Sequence, residues 1–272
     1  MKLPFNFWHA TVAALFIATS AQAAEIKVAV TTSFYNSGLS DLLLPVIKDD
    51  LDLDVQLIVV GTGQALRLGK AGDVDAILVH SRKAEDTFLA GGFGTHRRKI
   101  MYNDFVFIGP VSDPAVLAKA SSASDAMQRI KATASSFASR GDDSGTYKKE
   151  LSLWVAAGVA ADDLSTNWYH AAGAGMGATL NVASGMNAYV LSDRASWLNF
   201  GNKGDLELLY AGDPTLFNQY AYIPVNPELH PHVKTDLALA LETWLVGPKA
   251  EELIANYRIN GELLFTFNAV RN

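Results

Sequence analysis

Three observations predict an α/β protein built as two lobes. Apolar runs alternate with amphipathic helical stretches, the runs consist almost wholly of Val, Ile, Leu and Ala, and two long extended segments bracket a middle unit. "EIKVAV" (Glu25 to Val30) is the first strand. "TTSFYNSGLSDLLLPVIKDD" follows as a turn and then a helix, with Leu39, Leu42, Leu43, Val46 and Ile47 at helical spacing. "DVQLIVVG" (Asp54 to Gly61) is the second strand, and "GTGQAL" opens a helix that reaches about Lys70. "VDAILVH" (Val74 to His80) is the third strand, and "SRKAEDTFLAGG" is a helix with a solvated, charged face. Strands each followed by a helix form a parallel sheet covered on both faces, and that double burial is what demands such continuous apolar composition.

The alternation then changes. "RKIMYNDFVFIGP" (Arg98 to Pro110) is a long extended segment closed by Gly109-Pro110. "DAMQRIKATA", "SGTYKKELSLW", "WYHAAGAGMGATLNVASGMNAYVLSD" and "LELLYAG" make a second, shorter α/β unit. The chain breaks again near Asp213-Pro214, "QYAYIPVN" (Gln219 to Asn226) is extended, and Val233 to Tyr257 is a terminal helical region. Two extended crossings around a middle unit make the first lobe discontinuous: residues 24–105 with 220–272, and residues 106–219 as the second lobe. Both crossings then form the hinge. No internal repeat or low-complexity linker is recognisable.

Residues 1–23 read as a secretory signal peptide: Lys2, an apolar run from Ala10 to Ala18, and Ala21-Gln22-Ala23 ahead of cleavage before Ala24. The run is well short of the ~20 residues that span a bilayer, so the mature chain is expected to be exported, periplasmic and not inserted in a membrane. With no Cys in the chain, disulfides, thiolate metal sites, a Cys nucleophile and an N-terminal lipid anchor are excluded. Losing Lys2 moves the formal charge from −6 to −7, a sign that attracts neither nucleic acid nor anionic membrane. An anionic ligand must therefore be held by local donors.

Those donors sit at predicted strand ends, where an open α/β sheet places its ligands. The loops are "TTS" (Thr31, Thr32, Ser33), "GTG" (Gly61, Thr62, Gly63) and "RGDDSGT" before the helix of the second lobe. In "GAGMGATL" (Gly173 to Leu180) the glycines let the backbone approach a ligand closely. Each loop alone reads equally as turn and cap chemistry, with Ser144 or Asp143 capping its helix and Arg140 a surface charge. Together, with one Arg and no Lys among them, they suit a small anion bound by hydrogen bonds.

The set "TTSFYNSGLSDLLLP", "VVGTGQALRLGKAGDVDAILVH", "RRKIMYNDFVFIGP", "SRGDDSGTYKKELSLW", "GAGMGATL" and "LSDRASW" resembles the tungstate-binding proteins of bacterial ABC uptake systems through nearly the whole mature chain. The resemblance implies a type II periplasmic binding protein, whose two lobes close over the ligand. It implies contacts to the oxyanion from Thr32, Ser33 and Thr62 of the first lobe and from Arg140, Ser144, Gly145 and Thr146 of the second. Gly177 and its neighbours would add backbone donors. Asp142 orients Arg140, since a carboxylate facing a dianion would repel it. Family members often carry Thr-Thr-Thr-Ser after the first strand, and Val30 stands here in place of the first Thr. The implied protein is a monomeric receptor that hands its anion to an inner-membrane permease, with no cofactor and no protein-bound metal cation.

Rival readings stay open. "RGDDSGT" is also similar to the Arg-x-Asp-x-Ser-Gly-Thr motif of phosphate-binding proteins, but hydrogen phosphate asks for an acceptor, and Thr31 to Ser33 and Gly61 to Gln64 contain no carboxylate. Tungstate, molybdate and sulfate ask only for donors, and within that class the resemblance alone selects tungstate. An exported hydrolase with Ser144 as nucleophile lacks the Gly-x-Ser-x-Gly elbow and a His in a matching loop. His230-Pro-His232 lacks a third ligand for a metal, and "GAGMGA" lacks dinucleotide spacing. Trp154, Trp168, Tyr169 and Trp197 are read as packing.

Overall fold

The computed structural model describes residues 24–164 and 167–271, so the expected signal peptide lies outside the described residues. From the start run β1 (Ala24–Thr31), α1 (Thr32–Asn36), α2 (Leu39–Leu51), β2 (Leu53–Val60), α3 (Thr62–Ala71), β3 (Ala76–Val79) and α4 (Arg82–Ala90). β1 lies between β2 and β3 and is parallel to both, in register with β2 from Ala24↔Leu53 to Thr31↔Val60. The two-residue period of β1 sends Ile26, Val28 and Val30 into one core with Leu39, Leu43 and Ile47 of α2. Ala29 enters a second core with Ile77, Val79 and Phe88 on the other face. Both faces are covered, as the apolar composition requires.

β4 (Arg98–Pro110) leads to α5 (Ala123–Thr133), β5 (Phe137–Ser139), α6 (Gly145–Ala156), β6 (Tyr169–Ala171), α7 (Met176–Met186), β7 (Tyr189–Asp193), α8 (Arg194–Asn199) and β8 (Leu206–Tyr210). β9 (Phe217–Pro224), α9 (Thr235–Leu245) and α10 (Pro248–Ala255) follow. The sheet order is β2-β1-β3-β9-β4-β7-β5-β6, with β8 also on β4. β4 pairs with β9 from Arg98 to Asp104 and with β7 from Phe105 to Ile108, so one strand changes partners between Asp104 and Phe105. Arg194 holds that point: its Nε and Nη2 donate to the two oxygens of Asp104 at 2.7 and 2.6 Å. Beyond it, one core gathers Phe105, Phe107, Phe137, Trp154, Trp168 and Tyr189, and another gathers Val106, Ile108, Leu180, Val190 and Trp197. Each large side chain so buried contributes about 1.5–3 kcal/mol, which places the stability in these cores rather than at the polar strand ends.

Two local expectations are revised, and the His230-Pro-His232 pair acquires a role. The turn after β1 is the short helix α1, because Thr31 Oγ1 accepts the Phe34 N–H at 3.3 Å and caps it. The terminal helical region is two helices, broken at Gly247 with Pro248 opening α10, where its missing N–H costs nothing. His230 and His232 reach the C-terminus of α3, their Nε2 atoms 3.0 and 2.9 Å from the carbonyls of Lys70 and Gly72. That role accounts for both imidazoles, and no cluster of three metal-ligating side chains occurs among the described residues.

Candidate functional site

The ends of β1, β2 and β3 and the start of α6 meet at one cavity holding about 200 Å³ of space, its open mouth included. Thr31, Thr32, Ser33, Gly61, Thr62 and His80 line it from one side, and Arg140, Ser144, Gly145 and Thr146 from the other. α3 and α6 both begin here, where first-turn N–H groups have no intrahelical acceptor. Gly61 caps α3 without a side chain, so nothing of its own competes for those donors. Ser144 Oγ accepts the Tyr147 N–H at 3.1 Å, so Ser144 is a helix cap and a cavity residue at once.

The cavity wall carries buried polar atoms with no protein partner: Thr62 Oγ1, His80 Nδ1 and Arg140 Nε. Buried polar groups are ordinarily hydrogen-bonded, and three such atoms around one small space mark it as a polar binding site. Arg140 is 5% exposed and its Nη2 donates to Asp142 Oδ2. The other oxygen of Asp142 accepts the Ser144 N–H at 3.1 Å, so this carboxylate is occupied in aiming Arg140 and does not line the cavity. Behind Arg140, Gly141 turns with φ +59°, and a Cβ there would stand 2.7 Å from that of Ala171.

The two sides touch. Asp143, just before the cap of α6, accepts from Arg67 Nη1 of α3 at 3.0 Å and from Lys148. A Cβ on Gly63 would fall 1.7 Å from the Asp143 carboxylate, and one on Gly145 would fall 2.5 Å from His80 Cε1. Glycine at both positions lets the sides approach this closely.

Residues 17–249 match the family model of the PBP superfamily domain. The chain belongs to the PBP superfamily. Within it the chain belongs with the tungstate-binding proteins: TupA of Peptoclostridium acidaminophilum is 42% identical, the match covering 91% of this chain and 87% of the relative. Among solved structures, the tungstate-binding protein TupA from Desulfovibrio alaskensis G20 is 41% identical, covering 91% of this chain and 100% of that one, with a TM-score of 0.81. The tungstate ABC transporter structure from Geobacter sulfurreducens is 47% identical over 86% and 98% of the two chains, with a TM-score of 0.78. Its fold is therefore the mixed α/β type II binding-protein fold, and this PBP chain is a binding protein rather than an enzyme.

Of the residues singled out in the sequence, Thr32, Ser33, Thr62, Arg140, Ser144, Gly145 and Thr146 line the cavity of this PBP chain, and Asp142 supports it. Gly177 does not line it: it is exposed in the first turn of α7, and a Cβ there would meet nothing within 4 Å. The residue missed is His80, at the carboxyl end of β3, where the rule that selected the other loops would also have found it. A His therefore does stand at a matching strand end, contrary to the sequence expectation, and its Nε2 is engaged 3.0 Å from Ser33 Oγ. Burial, reinforced by the positive charge of Arg140, lowers the His80 pKa to about 4, so the ring is neutral at pH 7.

A polar cluster braces the second side. Ser139 Oγ donates to Glu150 Oε2 at 2.9 Å and accepts the Gly141 N–H at 3.2 Å, and the Tyr169 hydroxyl lies 2.7 Å from Glu150 Oε1. Burial pushes the Glu150 carboxyl up to about 7 against these hydrogen bonds. A raised carboxyl pKa adds stability that is complete below the unfolded value near 4.5 and is lost as pH rises through 7. Glu150→Gln is expected to cancel this loss, so that parent and variant melting temperatures converge at low pH and the variant melts several degrees higher at pH 8.5. Thermal unfolding of both proteins between pH 5 and 8.5 checks this; parallel curves would mean that Glu150 is ionised throughout.

Proposed function

We propose that this chain is the solute receptor of an ABC transporter, capturing a tetrahedral oxyanion, tungstate, between its two lobes and presenting it to a membrane permease. The observation that carries this is a cavity of partnerless buried donors around Arg140, with no carboxylate among its lining residues. Thr32, Ser33 and Thr62 hold the anion from residues 24–105 and 220–272, and Arg140, Ser144, Gly145 and Thr146 hold it from residues 106–219. The lobes close about β4 and β9, and the Arg67–Asp143 contact forms on closure. Hydrogen phosphate carries a proton that a carboxylate meets best, and no carboxylate lines this wall, whereas tungstate, molybdate and sulfate need only donors. The tungstate-binding relatives support tungstate within that group. The receptor acts as a periplasmic monomer. No helix among the described residues is long and apolar enough to cross a membrane.

Parallel calorimetric titrations and melts with tungstate, molybdate, sulfate and phosphate test the reading. A ligand at a thousandfold excess over Kd adds about 4 kcal/mol to the bound form. Tungstate is expected to raise the melting temperature by several degrees, with phosphate nearly silent. Equal shifts with phosphate overturn the ligand, and no shift with any oxyanion overturns the receptor.

A further inference from the structure

We propose that His80 is a ligand residue, donating a hydrogen bond from Nδ1 to the bound oxyanion, and that Ser33 is the positioning residue that fixes the donating tautomer. This rests on the reading of the cavity as an oxyanion site. His80 Nδ1 is buried without a partner and stands 2.8 Å from where a Cβ on Gly145 would be. Thr62 Oγ1, also partnerless, lies 3.1 Å from the same point, so the two atoms share one wall of the cavity.

The neutral ring carries one N–H, on Nε2 or on Nδ1. With the hydrogen on Nε2, the bare lone pair of Nδ1 remains buried and unsatisfied, beside an anion that it repels. With the hydrogen on Nδ1, Nε2 accepts the Ser33 hydroxyl. The count around Ser33 then closes: its one hydrogen goes to His80, and its two lone pairs accept from Thr31 Oγ1 at 3.0 Å and the Tyr220 hydroxyl at 3.1 Å. Thr31 Oγ1 is left free to accept the Phe34 N–H, as it does. The Ser33 hydroxyl thus acts on the anion through His80, and the direct hold of Ser33 on the anion is its first-turn backbone N–H.

The test uses the full mature chain, stripped of ligand and titrated calorimetrically with tungstate as the parent, His80→Asn and His80→Leu. Asn can place an amide N–H where Nδ1–H stands, whereas Leu keeps bulk without a donor. His80→Leu is expected to bind at least tenfold more weakly, and His80→Asn within a few-fold of the parent. Long-range proton–nitrogen NMR correlations of the parent with tungstate bound are expected to show the hydrogen on Nδ1. The proposal is overturned if His80→Leu binds like the parent, if Asn and Leu lose affinity equally, or if the bound ring carries its hydrogen on Nε2. Should His80→Leu fail to fold by circular dichroism, the Asn variant and the NMR tautomer decide. A parent that binds no oxyanion overturns the receptor reading itself, a failure seen in the parent arm and not in the variants.

Discussion

Replacing Arg140 by Ala is expected to weaken tungstate binding more than a hundredfold, about 3–5 kcal/mol, the scale for removing one partner of a buried charge pair. Arg140 is the one cationic side chain that lines the cavity, and its Nε has no protein acceptor while its Nη2 is held by Asp142. The substitution removes the charge facing the dianion and leaves the Asp142 carboxylate next to the cavity without its counterion. Repulsion then adds to the lost hydrogen bonds. Arg140→Lys keeps the charge but cannot hold Asp142 and the anion with one planar fork, so a loss of about 1.5–3 kcal/mol is expected. The fold survives both changes because the cores on either side of β5 contain no part of Arg140. Titration beside circular dichroism separates the outcomes. If Arg140→Ala bound tungstate as the parent does, Arg140 would only brace the loop through Asp142.

Where one residue type serves one physical demand, the sequence was readable. Strands β1 to β3 had to be largely apolar, and Ser144 followed by Gly-Thr could open a helix whether or not a ligand sat there, which is why the cap and the cavity residue are one and the same. Arg140 and Asp142 lie two residues apart, so their pairing was legible in the loop itself. His80 stands at the same kind of strand end as the other loops, but a lone His closing an apolar strand has the pattern of strand packing too, and its contact with Ser33, 47 positions away, separates the two. Gly177 misled for a related reason: a Gly-rich stretch that can approach a ligand can equally supply a helix start, and Gly175 is the N-cap of α7. The contact of Gly63 and Arg67 with Asp143 spans the two halves of the chain, 76 positions for the ion pair, and no local pattern encodes it.

Gly145→Ala is expected to lower tungstate affinity by one to two orders of magnitude while leaving the ligand-free protein as stable as the parent or slightly more so. Gly145 opens α6, where Ala is a better helix former by up to about 1 kcal/mol, and its φ is not in the left-handed region, so the backbone accepts a side chain. The obstacle lies across the cleft. The new Cβ would stand 2.5 Å from His80 Cε1 and 2.8 Å from His80 Nδ1, closer than a contact can be without displacement, and a tight 3.1 Å from Thr62 Oγ1. His80 cannot yield freely, because its ring is buried and tethered to Ser33. Overpacking of this kind costs about 1–3 kcal/mol, and here the cost falls only on the closed form in which the two sides meet. Apparent affinity drops by the fraction of molecules that can still close. Gly177→Ala, where a Cβ meets nothing within 4 Å, is the matched control and is expected to bind as the parent does. Small-angle scattering with tungstate present should show Gly145→Ala remaining more extended than the parent at equal ligand. If Gly145→Ala closed and bound like the parent, the approach of α6 to His80 would not belong to the bound state, and the cleft would hold its anion with the two sides further apart.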